Sequence, residues 1–253
     1  MSTVAIVQAR MGSSRLPGKV LAELCGRPML EVLLYRVNRA EKVDKVVVAT
    51  TTNHKDDVLV QWLQRQGIAH YRGSEEDVLD RFWQCARHYE ADVIVRVTAD
   101  DPLKDPEIID QVVSLLEESE GLDYVSNTIK PTYPEGLDIE AFRFRALTLA
   151  YEEAKLMSER EHVTPYIWKN PDKFACRSLE MEPNLSKWRW TVDKPEDLEF
   201  VRTVLAHFGN DFGVGYRAII ELILQHPELS EINAGTIRNE GYLKTIAMEG
   251  SNE

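Results

Sequence analysis

The chain has 253 residues, with 42 acidic against 30 basic side chains and a formal net charge of −12. This balance excludes general binding to nucleic acids or anionic membranes, because both need a basic face on the protein. No apolar run approaches the ~18 residues of a membrane span, and the amino terminus has no signal-peptide pattern. An odd number of widely spaced cysteines is typical of reduced thiols. We therefore expect a cytoplasmic protein.

The first half of the chain alternates between predicted strands and predicted helices. Because strands that alternate with helices form βαβ units, this rhythm predicts a mainly parallel sheet. The apolar runs VAIV (4–7) and VVVA (46–49) predict strands that helices cover on both faces. Ser74 as an N-cap and Pro106 at a first helical position mark two helix starts. In chain order, the strands are predicted at 2–9, 44–51, 68–73 and at the start of 92–103, and the helices at 27–40, 54–67, 74–90 and 106–119.

After residue 120 the alternation is less regular. The whole chain, 1–253, is predicted to be a single α/β domain, and 128–187 is the best candidate for a small sub-domain inserted into it. Strands are predicted at 122–127, within 130–144, at 174–181 and at 187–193, and helices at 145–156, 159–169 and 195–209.

The loop after the first strand has an unusual composition for an acidic protein. The stretch VQARMGSSRLPGKVL (7–21) gathers basic residues around two glycines, Gly12 and Gly18. Glycines let the backbone turn tightly and approach a ligand closely, and such a loop lies where ligands bind in open α/β sheets. Backbone N–H groups with arginine and lysine suit a polyphosphate. The basic residues are Arg10, Arg15 and Lys19.

This loop does not match the common phosphate-binding motifs. Five residues separate Gly12 from Gly18 where a P-loop has four, and Val20 stands where a P-loop has the serine or threonine that binds magnesium. The dinucleotide pattern G-x-G-x-x-G is also missing. The alternative interpretation is a solvated turn whose basic residues pair with surface acids.

Acidic residues follow two of the predicted strands. Asp100 and Asp101 come after the strand that opens 92–103, and Asp193 precedes a helix that starts at Pro195. Carboxylates at the ends of different strands can converge on one hard cation such as Mg²⁺. The alternatives are a turn before a proline for Asp100 and a helix N-cap for Asp193.

Three charged residues lie within predicted strands. Arg96 interrupts an apolar strand, where it either forms an ion pair with a sheet neighbour or braces Asp100 or a phosphate. Asp138 and Glu140 are two residues apart, so their side chains share one face of a strand. They are either a D-x-E metal motif or the polar face of an edge strand.

The segment ARMGSSRLPGK (9–19) resembles the signature loop of the cytidylyltransferases that make CMP-activated sugar acids. The resemblance is closest to the branch of the spore-coat polysaccharide protein SpsF, and it covers nearly the whole chain. WTVDKPEDLEFV is the second specific motif, and the other segments are softer. The further matching segments are 71–82, 95–103, 136–142, 159–167, 190–201 and 239–243.

The resemblance implies a nucleotide-diphospho-sugar transferase (Rossmann-like) fold, CTP and Mg²⁺ as ligands, and usually a homodimer. Mg²⁺ maps to Asp100 and Asp193, whereas Asp101 ranks lower because the family often has another residue there. Arg72 lies in the region that approaches cytosine and ribose, and backbone groups near Ala9 are expected to recognise the base. The residues expected to bind CTP are Ala9, Arg10, Gly12, Ser13, Ser14, Lys19, Arg72 and Asp100.

The acceptor is expected to contact residues further along the chain. A sugar acid brings a carboxylate, for which Arg160 and Arg189 are reasonable partners. His162 is either a general base or part of a dimer interface. The candidate acceptor-binding residues are Asp138, Glu140, Arg160, His162 and Arg189.

The predicted function is transfer of CMP from CTP to a sugar acid, with release of pyrophosphate. Arg10, Arg15, Lys19 and Asp100 are the predicted catalytic residues, because phosphoryl chemistry depends on positioning and electrostatics. The alternatives are a glycosyltransferase that uses a nucleotide sugar, a catalytically silent CMP-sugar-binding protein, and a nucleotidyltransferase with another nucleotide or a non-sugar acceptor. The D-x-D site usual in such glycosyltransferases is missing.

Overall fold

The computed structural model describes residues 1–13 and 15–250. Within them, seven strands form one sheet in the order β5-β4-β1-β6-β8-β7-β9, and β2 and β3 form a separate hairpin. The strands are β1 (Thr3–Gln8), β2 (Glu23–Leu24), β3 (Arg27–Pro28), β4 (Lys45–Thr51), β5 (His70–Gly73), β6 (Val93–Thr98), β7 (Tyr124–Ser126), β8 (Glu140–Arg143) and β9 (Cys176–Ser178).

Helices connect and cover these strands. The α-helices are α1 (Met29–Val37), α2 (Asp57–Arg65), α3 (Val78–His88), α4 (Pro106–Glu117), α5 (Phe144–Glu153), α6 (Met157–His162), α7 (Pro165–Trp168), α8 (Pro195–His207), α9 (Tyr216–Gln225) and α10 (Glu240–Gly250).

The sheet is mixed but mainly parallel, as predicted. β1 pairs in parallel with β4 and β6, and β4 with β5, whereas β8 is antiparallel to β6 and β7. Alternate residues of β1 enter two hydrophobic clusters, with Ala5 and Val7 on one face and Val4 and Ile6 on the other. Because both faces are buried, the strand is apolar throughout. The predicted Rossmann-like α/β fold with helices on both faces is confirmed.

Three local predictions differ from the structure. The predicted strand at 187–193 is wrong, because this segment is irregular and pairs only through a bridge between Glu135 and Arg189. Asp77 rather than Ser74 caps α3, since its side chain accepts a hydrogen bond from the Asp80 N–H. The predicted helix at 159–169 is divided into α6 and α7, with Val163 at a φ of +72° between them.

The segment 128–187 is continuous with the main sheet. It supplies β8, which lies between β6 and β7, and β9, which pairs with β7. The expectation that this segment binds the acceptor and forms a dimer interface stays a prediction.

Candidate active site

A cleft of about 1240 Å³ lies at the carboxyl ends of β1 and β6. Ligands bind at this edge in open α/β sheets. The structure brings many of the predicted residues to its wall, whereas Gly12, Ser13, Lys19, Arg72, Arg160 and Arg189 are not part of its lining, and Ser14 lies outside the described residues. The predicted residues that line the cleft are Ala9, Arg10, Arg15, Asp100, Asp138, Glu140, His162 and Asp193.

Lys19 is buried in a short 3₁₀ turn (Lys19–Leu21) and holds two parts of the chain together. The turn follows Gly18, whose φ of +72° favours glycine. The Lys19 Nζ donates hydrogen bonds to Asp100 at 3.0 Å and to Asp193 at 2.9 Å. Burial by itself lowers the pKa of Lys19, but the two carboxylates raise it above its ordinary value. The ammonium therefore stays charged.

The segment before α8 brings Asp193 beside Asp100. The Val192 N–H donates to the Asp100 carbonyl at 2.8 Å, and the Val192 carbonyl accepts from the Lys19 Nζ, also at 2.8 Å. Asp193 also binds Arg15 and Arg189, each at 2.8 Å. Burial alone raises the pKa of Asp193, but Lys19 and the two arginines lower it to about 2. The carboxylate is therefore ionised under ordinary conditions.

The alternative in which Asp193 caps α8 is wrong. The Asp197 carboxylate, inside the first turn, accepts the N–H groups of Asp193 and Lys194, both at 2.9 Å. Arg189 joins the two acids, because it binds Asp197 at 3.0 Å as well as Asp193. Arg189 also binds Glu135 at 2.7 Å and is buried behind the cleft. It is therefore a positioning residue for Asp193.

Asp56 holds the opening loop in place, and the sequence analysis missed it. Its carboxylate accepts the Met11 N–H at 2.7 Å and the Thr51 hydroxyl. Met11 in turn accepts the Gly18 N–H at 3.1 Å. No sequence motif marks Asp56, because its role depends on the loop after β4 lying next to the loop after β1.

Two arginines predicted to meet the substrates point elsewhere. Arg160 forms a bidentate pair with the helix cap Asp77 and donates to the Tyr151 carbonyl at 2.8 Å. Arg72 binds Asp57 at 2.8 Å and the Thr51 carbonyl at 2.9 Å. In this arrangement both arginines stabilise the fold.

Arg96, which is partly exposed, forms an ion pair with the buried Glu140 in the wall of the cleft. Glu140 also accepts hydrogen bonds from Tyr124 at 2.6 Å and from Thr164 at 2.5 Å. Burial alone raises the pKa of Glu140, but Arg96 and the two hydroxyls lower it below its usual value. The ion-pair interpretation of Arg96 is confirmed. The edge-strand interpretation of Glu140 is wrong, since β8 lies inside the sheet.

The remaining acids have different partners. Asp138 pairs with Arg238, near the carboxyl end of the chain. Asp101 binds Lys104 at 2.8 Å and also the Thr98 hydroxyl. Asp100 rather than Asp101 therefore meets Lys19.

The C-terminal segment crosses the mouth of the cleft. Glu240, at the start of α10, binds Arg15 at 2.5 Å, and the Asn239 N–H donates to Glu135 at 3.0 Å. Residues 239–242 line the cleft. In the sequence, the only sign of this was the short match at 239–243.

His162 packs against this C-terminal helix. Its Nε2 lies 3.1 Å from the Thr245 hydroxyl, and its ring meets Tyr242 edge-on at 5.1 Å between centroids. Burial, followed by the positive charge of Arg96, lowers the pKa of His162 to about 4. The imidazole is therefore neutral near pH 7.

This pKa predicts a loss of stability in acid. The unfolded chain takes up a proton at His162 below about pH 6.5, whereas the folded chain does so only near pH 4. The free energy of unfolding should therefore fall by up to about 3 kcal/mol from this group as pH drops from 6.5 to 4. In His162→Gln, the free energy of unfolding should fall less over the same pH range, because the titrating group is gone. Urea unfolding of both proteins at pH 7.5 and 4.5 measures it, and an equal decline in both would contradict the prediction.

The comparisons with known proteins identify the family. Residues 4–217 match the cytidylyltransferase family. The chain belongs to this family. It is 40% identical over 246 residues to an uncharacterized protein from Methanocaldococcus jannaschii, covering 96% of this chain and 98% of that one. It is 33% identical over 234 residues to the spore coat polysaccharide biosynthesis protein SpsF of Bacillus subtilis, covering 88% and 94%.

Solved structures agree with the family and with the fold. A cytidylyltransferase from Leptospira borgpetersenii has a TM-score of 0.87 and 34% identity, covering 94% of this chain and 99% of that one. A CMP:2-keto-3-deoxy-manno-octonic acid synthetase complexed with CTP has a TM-score of 0.65 at 21% identity, covering 82% and 100%. Over residues 1–13 and 15–250, no helix is long and apolar enough to cross a membrane.

Proposed function

We propose that this protein transfers CMP from CTP to a sugar acid and releases pyrophosphate, for the synthesis of a cell-surface polysaccharide. The observation that carries the proposal is the Lys19 ammonium, held between Asp100 and Asp193 at 3.0 and 2.9 Å beside the cleft. In this arrangement the ammonium offers positive charge to a triphosphate, and the two carboxylates offer negative charge to its metal ion. The spore-coat name of the relative SpsF and the bound CTP of the synthetase with this fold support the choice of substrates.

The donor set fits a magnesium ion. Asp100 and Asp193 lie close enough together to share one cation, the Lys19 ammonium, and because both also line the cleft they can offer oxygen ligands to a metal ion there. Within the described part of the chain, no three acidic, histidine or cysteine side chains surround one metal position. Mg²⁺ needs no more than one or two carboxylates, because it completes its shell with water and phosphate oxygens. When bound, it would polarise the α-phosphate of CTP.

The basic residues of the opening loop act on the phosphates. Arg15 stabilises the negative charge that develops on the departing pyrophosphate, and Arg10 contacts it from the open side of the cleft. Lys19 adds its positive charge from behind the cleft wall, because Asp100, Asp193 and the Val192 carbonyl take its three N–H groups. Arg15 binds Glu240 and Asp193 in this arrangement. It therefore exchanges a carboxylate for a phosphate when the nucleotide binds. Such exchange keeps the guanidinium paired in both states.

The acceptor lies on the β6 and β8 side of the cleft in this proposal. Arg160 and Arg189 do not line the cleft, whereas Arg96 does while it pairs with Glu140, so Arg96 is the arginine that can reach a sugar-acid carboxylate on this side. Asp138 and Glu140 accept hydrogen bonds from hydroxyl groups of the sugar. His162 is neutral, but with a pKa of about 4 it is a weak base, so its role in this proposal is to accept a hydrogen bond from the attacking anomeric hydroxyl and orient it. A homodimer that buries part of 128–187 belongs to the same proposal.

A screen of nucleotides and acceptors tests this function. With Mg²⁺, CTP should raise the melting temperature more than ATP, GTP or UTP at equal concentration. A ligand that binds only the folded protein stabilises it more when its affinity is higher. Pyrophosphate release should require both CTP and an acceptor from a panel of sugar acids. Equal thermal shifts with all four nucleotides would contradict the cytidylyl assignment. Consumption of a nucleotide sugar without pyrophosphate release would favour a glycosyltransferase.

A further inference from the structure

Arg81 is a buried charge in the floor of the cleft that forms no direct ion pair, although Asp56 and Glu75 lie near enough to attract it. It lies on α3 and is only 2% exposed, yet it lines the cleft. Its Nη1 donates to the Ser74 carbonyl, and its Nε, also buried, has no hydrogen-bond partner among the described residues. None of the described carboxylates lies within 4 Å of its guanidinium, so the side chain is left with unused donors that a ligand can reach only from the cleft.

The neighbouring strand is shaped to admit this side chain. A Cβ at Gly73, the last residue of β5, would lie 2.9 Å from the Arg81 Cγ. Real Cβ atoms do not approach so closely, so the stem of Arg81 occupies space that only glycine leaves open. The position is therefore built for a long side chain with its charged end at the cleft.

Further positive charge gathers on the same side of the cleft. Arg10 and Lys55 also line it, from the loops after β1 and β4, and within 1–13 and 15–250 neither forms an ion pair with a carboxylate. Burial, followed by repulsion from Arg10, lowers the pKa of Arg81 to about 10, although Asp56 and Glu75 act in the opposite direction. A buried guanidinium that makes no direct ion pair destabilises the protein until an anion binds it.

A comparison with the cluster of Lys19, Asp100 and Asp193 indicates which kind of anion binds near Arg81. There, Lys19 and Arg15 already have the carboxylates of Asp100, Asp193 and Glu240 as partners. The side of the cleft with Arg10, Lys55 and Arg81 also holds Glu75 and Glu76, but none of the three cations forms a direct ion pair with a described carboxylate. A single carboxylate brings one negative charge, whereas the end of a polyphosphate brings several and accepts bidentate hydrogen bonds from guanidinium groups.

We propose that Arg81 is a further nucleotide-binding residue that, together with Arg10, binds the terminal phosphates of the nucleoside triphosphate. This inference rests on the proposed function for the identity of the triphosphate, but its chemistry requires only a polyphosphate. The buried guanidinium lowers the stability of the ligand-free protein and becomes paired when the pyrophosphate portion of the nucleotide arrives. Functional sites often carry such a cost in stability.

Arg81→Met tests the proposal, with Arg87→Met as the matched control. Both arginines lie on α3, but Arg87 is exposed and stacks on Trp83 at 5.0 Å from its ring centroid. Isothermal titration should show that Arg81→Met weakens binding of inorganic pyrophosphate and of CTP by about 10- to 100-fold, the scale of a lost charged hydrogen bond. CMP affinity should stay as in the wild type. The ligand-free melting temperature should be equal or higher, because an unpaired buried charge is removed.

Three results would overturn the assignment. They are unchanged pyrophosphate affinity in Arg81→Met, equal weakening of CMP and CTP binding, or a wild-type protein that binds no pyrophosphate. If Arg81→Met does not fold, Arg81→Lys is the second variant. It keeps the positive charge but loses the paired N–H donors of the guanidinium, so it should still weaken the binding of pyrophosphate more than the binding of CMP. A wild type that binds pyrophosphate through Arg81 but releases none from CTP with any acceptor would contradict the proposed function and leave this inference standing.

Discussion

Asp193→Asn is expected to lower turnover by about 10²-fold or more, the scale of a lost charged group at a transferring phosphoryl centre. The substitution keeps the shape of the side chain and its hydrogen-bonding oxygen but removes the charge that faces Lys19, Arg15 and Arg189. Magnesium activation should need a higher metal concentration in the variant. Pyrophosphate release measured across a magnesium titration gives both results.

The same substitution should also lower stability, because it removes the ion pairs of Asp193 with Lys19, Arg15 and Arg189. The pKa of Asp193 lies near 2 instead of 3.8, which corresponds to about 2 kcal/mol in favour of the folded state. Because this carboxyl has a lowered pKa, its contribution is present above pH 4 and disappears as pH falls towards 2. The difference in unfolding free energy between wild type and Asp193→Asn should shrink over that range.

Asp105→Asn is the matched control for these effects. Asp105 is buried, pairs with Arg36 at 3.3 Å and caps α4, but it does not line the cleft. Asparagine caps a helix as well as aspartate does. The control should lose the stability of its ion pair with no change in the magnesium requirement. Wild-type turnover in Asp193→Asn would remove Asp193 from the proposed metal site.

Lys19→Met should reduce kcat/KM by about 10²- to 10³-fold, because the ammonium that faces the developing charge is lost while the stem is kept. It should also cost about 1.5–3 kcal/mol of stability, the range for hydrogen bonds to charged groups. The Lys19 side chain is only 10% exposed. Removing its ammonium leaves Asp100 and Asp193 without the cation that they share. Kinetics and chemical denaturation measure the two effects separately.

Magnesium offers an independent test of the same substitution. With the ammonium gone, two carboxylates face each other at a point that suits a divalent cation. Mg²⁺ without nucleotide should therefore raise the melting temperature of Lys19→Met more than that of the wild type. Lys42→Met is the control, since Lys42 binds Glu117 at 2.9 Å on the surface. An active Lys19→Met protein, or one that ignores Mg²⁺, would contradict the assigned role of Lys19.

Local sequence determined the layers of this protein. The apolar runs at 4–7 and 46–49, each followed by an amphipathic helical pattern, can be buried only in a sheet covered on both faces. The glycines and basic residues of 9–19 indicated the edge of the sheet where a ligand binds. Such signals survive in the sequence because they depend on neighbouring residues alone.

Tertiary structure decided the partners of the charged side chains. In the sequence Asp193 was either a metal ligand or a helix cap, and only the folded chain shows that Lys19 and Arg15 contact it while Asp197 accepts the N–H groups at the start of α8. Arg160 and Arg189 were expected to meet the acceptor, but nearby carboxylates hold them. An arginine binds the nearest buried acid, and which acid is nearest depends on the packing of distant elements.

The most distant contacts were beyond any local pattern. Glu240 meets Arg15 across 225 residues of chain, and the burial of Arg81 depends on the missing Cβ of Gly73 in a neighbouring strand. In the sequence, Arg81 is one more charged residue in an amphipathic helix. The sequence by itself therefore determined the fold and the edge of the sheet where the site lies. Only the folded chain decided which charges are paired and which are free to bind a ligand, because charge pairing in a protein interior is a property of three-dimensional neighbours.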